Sequence, residues 1–117
     1  MRRALIVLIL FVTACCLASC SSDGQSNALG HEACVDASRS IKTFDASQHA
    51  LSPVIATKDR ASALGELRDA LRPAALAGSS DGDWQALMAT LSESSRVPEN
   101  LLVPALNAQC AATLGSS

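Results

Sequence analysis

The chain has 117 residues, 49% of them apolar and 17% charged, with a formal charge of -2. That length holds one domain at most, and so weak a negative charge gives no electrostatic reason to seek nucleic acid or anionic lipid headgroups. Ala and Leu dominate while aromatics are confined to Phe11, Phe44 and Trp84, a balance that favours helices, because strands draw on β-branched and aromatic side chains.

The chain opens on Arg2 and Arg3, followed by an apolar run from Ala4 to Leu17. As a helix that run would span about 21 Å. A bilayer core is about 30 Å thick, so the run is short for a membrane span and suits the apolar region of a secretory leader. It ends in Leu17-Ala18-Ser19-Cys20, and small polar residues follow.

This pattern resembles the lipobox of bacterial lipoproteins: an aliphatic residue, two small residues, then Cys. The resemblance implies a diacylglyceryl group on the Cys20 sulfur and cleavage by signal peptidase II between Ser19 and Cys20. It also implies a lipid-anchored location on the extracytoplasmic face of the cell membrane. More than one acyl chain is the physical need, since each buried methylene contributes about 0.8 kcal/mol and a single chain anchors only marginally. Val12-Thr13-Ala14-Cys15 also fits the pattern, but would leave an apolar start rather than a polar one. A plain secretory leader cut near Ala18 or Ser19, or an uncleaved anchor, are the other readings. In style the chain is similar to the small Ala-rich lipoproteins of high-GC bacteria, actinobacteria above all. That likeness implies a location and no activity.

Cleavage at Cys20 removes Arg2 and Arg3 with no acid, taking the formal charge from -2 to -4. It also removes Cys15 and Cys16. With Cys20 lipidated, Cys34 and Cys110 remain. An even pair in an oxidising compartment reads as a disulfide, against the alternative of two separate buried thiols.

Residues 21–30, SSDGQSNALG, are small and polar, and are expected to form a flexible tether after the lipidated cysteine. A first helix is expected over 31–51, with Cys34, Ala37, Ile41, Phe44 and Leu51 on one face and Ser52-Pro53 ending it. The second is expected over 57–77, capped by Thr57, with Leu64, Leu67, Leu71, Ala74 and Ala75 inward. Pro73 should kink or break it and Gly78 should stop it. Ser80 and Asp83 have the spacing of a capping box ahead of a third helix that carries Trp84, Leu87, Met88 and Leu91 and ends near Ser94. The fourth begins at Pro98 and presents Leu101, Leu102, Ala105, Leu106, Cys110 and Leu114, with Pro104 bending its first turns and Gly115 ending it.

The expected organisation is thus a leader over 1–19, a lipidated cysteine and tether over 20–30, and an all-α domain over 31–115. Short connections make that domain an up-down-up-down four-helix bundle. In such a bundle the start of the first helix lies beside the end of the last. That places Cys34 next to Cys110, and one disulfide should close the domain.

Chemistry-bearing patterns are sparse. The sequence has no Gly-x-Ser-x-Gly elbow, no Gly-rich phosphate loop and no His-Glu-x-x-His. His31, Glu32 and Cys34 offer three metal-ligand types within four residues, but a site would need a fourth ligand and a reduced Cys34. No metal, cofactor or catalytic residue is therefore expected. His49 reads as a solvated residue near a helix C-terminus. Trp84 reads as a core anchor. Asp81 and Asp83 suit a helix start, and Arg60, Arg68 and Arg72, interleaved with Asp59, Glu66 and Asp69, suit a solvated face. The function expected is a membrane-tethered helical interaction module for an envelope protein partner. The alternative is a carrier or sensor for a small apolar ligand held between helices.

Overall fold

The computed structural model describes residues 22–114. The expected leader and lipobox, Cys20 and Gly115 fall outside these residues. Among the described residues all regular structure is helical. Helix α1 spans Ser22–Gln48, α2 Pro53–Ser80, α3 Gln85–Ser92 and α4 Glu99–Leu114, with single 3-10 turns at Gly82–Trp84 and Glu93–Ser95. Each helix packs on its neighbour in the chain, and α4 packs back on α1. This is the circuit of a four-helix bundle.

The core is built from small residues on the two long helices and leucines on the two short ones. On α1 the buried residues Ser26, Gly30, Ala33, Ala37 and Ser40 fall at alternating steps of four and three. On α2, Ala63, Leu67, Ala70, Ala74 and Ala77 repeat the same rhythm. That period of three and a half residues keeps one narrow seam facing a partner helix along its whole length. Leu87 and Leu91 of α3, with Leu102, Leu106 and Cys110 of α4, close the core over the seam.

The expected tether is instead the first part of α1, which begins at Ser22 rather than near His31. Its small polar residues are helical because they have something to pack on. Ser26 is buried. Gly30 lies against the indole of Trp84, which would collide with a Cβ at that position. The Trp84 Nε1–H donates to Asn27 Oδ1 at 3.3 Å.

Other boundaries move for local reasons. Helix α1 stops at Gln48, and Leu51, expected inward, lies in the connection with 101% of its reference surface exposed. Ser52, not Thr57, caps α2. It is extended, and its Oγ accepts the Ile55 N–H at 3.3 Å, with Pro53 at the first helical position. Thr57 lies inside the helix and donates its hydroxyl to the Pro53 carbonyl at 2.9 Å. No break occurs at Pro73. The ring is buried within the seam, and α2 runs on to Ser80, since proline forfeits one backbone donor and packing on both sides offsets that loss. Gly78 does not end the helix either. It gives room to the next element, with Met88 Cβ and the Trp84 carbonyl oxygen each 3.4 Å from where its own Cβ would stand.

Asp81 replaces the expected pairing of Ser80 with Asp83. Its N–H donates to the Ala77 carbonyl at 2.9 Å, and its carboxylate accepts the Asp83 N–H at 3.0 Å. Helix α4 begins at Glu99, with the Leu101 N–H donating to the Pro98 carbonyl at 3.0 Å. It passes through Pro104 without interruption. Leu101 is not part of its inner face but is 64% exposed, because the stripe of Leu102, Leu106 and Cys110 leaves it one residue out of phase.

Candidate functional site

Cys34 and Cys110 form the expected disulfide, with an S–S distance of 2.04 Å and Cα atoms 5.5 Å apart. It ties the middle of α1 to the last turns of α4. With its sulfur in this bond, Cys34 is no thiolate ligand, and His31 and Glu32 beside it are exposed. Among the described residues no three His, Cys, Asp or Glu side chains gather as a metal site. His49 sits just past the end of α1 with Nδ1 2.9 Å from the Asp45 carbonyl oxygen, in accord with its place near a helix C-terminus. Arg60, Arg68 and Arg72 are exposed. Glu66 is a correction to the solvated face of α2: its Oε2 is buried and has no hydrogen-bond partner among the described residues.

Two features distinguish the opposite end of the bundle. The first follows from helix length. The turn between α3 and α4, Ser94 to Pro98, comes against Phe44 of α1 and Arg60 and Leu64 of α2. Beyond that level α1 and α2 continue alone as a two-helix arm reaching about 10 Å further. Its tip carries Leu51, Val54 at 79% exposure and Ile55 at 49%. The three lie in or beside one capped turn, and among the described residues Leu51 and Val54 are left largely uncovered and Ile55 half covered. Single exposed apolar residues are ordinary, whereas three in one turn form a patch.

The second is a groove at the foot of the arm, with a cavity volume of about 310 Å³. Phe44, Leu64 and Val97 supply its apolar wall, and Arg60 and Arg96 its charge. Arg96 is committed to Glu93, 2.6 Å away. Glu99 lies at the groove's inner edge and is 5% exposed. Its Oε1 stands 2.6 Å from Ser40 Oγ, and Ser40 Oγ stands 2.7 Å from the Ala63 carbonyl oxygen. One hydroxyl thus joins α1, α2 and α4. Burial pushes the Glu99 carboxyl above its ordinary range and the charge of Glu66 adds to the rise, while a hydroxyl donated by Ser40 would pull it back.

Sequence reasoning missed both features. Ser40 and Glu99 are polar and were not sought in the core. Helical spacing alone places Leu51 inward. The Ser52-Pro53 pair was a legible helix start, and placing it would have put Leu51 in the turn.

No family model, curated protein or solved structure matches the chain.

Proposed function

We propose that this chain is a lipid-anchored protein of the cell envelope whose helical domain is an interaction module for a protein partner. The observation that carries the proposal is the arm: Leu51, Val54 and Ile55 are exposed at its tip, on a turn capped by Ser52. An exposed apolar patch of this kind marks a contact surface. The leader and lipobox residues support the anchor on Cys20, and an oxidised Cys34–Cys110 pair fits an exported domain. Helix α1 is about 40 Å long, so the patch stands well away from the N-terminal turn. The module carries no catalytic role in this reading.

The test is site-specific photocrosslinking in intact cells from position 51, with position 68 on the exposed face of α2 as the control. A discrete protein adduct from position 51 alone supports the module. Equal, diffuse labelling from both positions removes it. Membrane fractionation of Cys20→Ala tests the anchor separately, and an unchanged membrane fraction would refute it.

The carrier reading draws on the groove, whose volume of about 310 Å³ is at the small end of ligand sites. A native mass spectrum of protein extracted from membranes decides it. A retained small molecule favours the carrier, and a bare chain counts against it.

A further inference from the structure

We infer that Glu99 is a neutral carboxylic acid in the folded domain, and that its proton is the clasp fastening α4 to the α1–α2 hairpin. The argument is one of counting hydrogens. Ser40 is fully buried and its hydroxyl has a single proton. Two oxygens approach that hydroxyl, the Ala63 carbonyl at 2.7 Å and Glu99 Oε1 at 2.6 Å. Both are full hydrogen-bond distances for O–H···O contacts. One proton cannot fill two such short contacts at full strength, and a carbonyl oxygen has none to give. If Ser40 donated to a carboxylate, its lone pairs would face the Ala63 carbonyl at 2.7 Å with nothing between them. The arrangement closes only when Glu99 Oε1–H donates to Ser40 Oγ and Ser40 Oγ–H donates to the Ala63 carbonyl.

The surrounding charges agree with a neutral acid. On α1 the charged groups nearest Ser40 in sequence are Arg39, paired with Asp36 at 3.2 Å, and Lys42, which is exposed and makes no ion pair with Glu99. The 3-10 turn brings Glu93 and Arg96, also paired with each other. Arg60 of α2 lines the groove but makes no ion pair with Glu99. Glu66 of α2 is the remaining neighbour, and its charge opposes ionisation of Glu99. Neither buried Oε2, of Glu66 or of Glu99, has a cation or donor to hold it among the described residues. A negative charge on Glu99, opposed by Glu66, would have no compensation there.

The clasp has a defined pH dependence. Glu99 takes up its proton above the ordinary value of 4.5, so in that range the folded chain binds more protons than the unfolded one. Its stabilisation is complete in acid and is lost as pH rises through the folded value.

The experiment uses the full chain in detergent micelles, with isotope-labelled glutamate and thermal melts from about pH 5 to about pH 8. The Glu99 carboxyl resonance, assigned in the wild type by correlation through its own side chain to its backbone amide, should titrate above the other glutamates. Glu99→Gln supplies an amide N–H to Ser40. It should keep the acid-side melting temperature and lose the part of the decline with pH that the wild type shows. Glu99→Ala should melt roughly 4–8 °C lower or more. A Glu99 resonance that titrates with the exposed carboxyls overturns the inference, as does a Glu99→Gln variant as unstable in acid as Glu99→Ala. The resonance measurement stands on wild-type protein, so it decides the matter even if neither variant folds.

Discussion

The indole of Trp84 occupies the space that a side chain at Gly30 would need. This one contact joins the turn before α3 to the early part of α1, and it explains why a run of small polar residues is helical there. Gly30→Ala is therefore expected to destabilise the domain by about 1–3 kcal/mol, the usual cost of overpacking. The sign is diagnostic, because Gly to Ala inside a helix ordinarily stabilises by about 0.5–1 kcal/mol. Gly65 on α2 has nothing within 4 Å of its Cβ position, so Gly65→Ala should show that ordinary gain. Denaturant melts of the two variants, followed by Trp84 fluorescence, check both.

The disulfide closes a loop with a sequence separation of 76. Cys34→Ser with Cys110→Ser should cost about 2–5 kcal/mol. Chemical denaturation of the oxidised chain with and without reductant should give the same difference, and a negligible shift would show that helix packing alone sets the stability.

Ser40→Ala removes the hydroxyl that joins three helices. It leaves the Glu99 carboxyl and one lone pair of the Ala63 carbonyl buried without that partner, at an expected cost of about 1–3 kcal/mol. Ser47, also buried, donates only to the Phe44 carbonyl one turn away on its own helix, at 2.6 Å. Ser47→Ala should cost less, and comparing the two melts isolates the interhelical part.

Changes at the arm's tip should separate folding from recognition. Leu51→Ser and Val54→Ser fall on exposed side chains, so stability should move by no more than about 0.5 kcal/mol. The adduct formed from a crosslinker at position 55 should weaken with each. A large fall in melting temperature would mean the tip is structural.

Helix content, chain order and the Cys34–Cys110 pairing were legible in the sequence, because each rested on a signal that survives packing. Leucines at three- and four-residue steps marked α3 and the inner face of α4, and antiparallel topology brought the two thiols together. The seam of α1 on α2 was not legible. Hydrophobic periodicity is read from large residues, while Ser26, Gly30, Ser40 and the alanines are buried for their smallness, which lets two backbones approach. Pro73 and Gly78 misled for a related reason: their local preferences are worth a few kcal/mol, and a continuous buried face outweighs them. Glu99 was hidden because burial of an acid depends on which proton it holds, and sequence spacing does not register that.

An even number of antiparallel helices also sorts the molecule into two poles. Ser22 and Leu114 belong to the same end, where Ala112 and Thr113 of α4 share a shallow cleft with Asn27 and His31 of α1. The α1–α2 turn lies at the other. A label, a fluorophore or a fused domain added after α4 therefore leaves the turn uncovered.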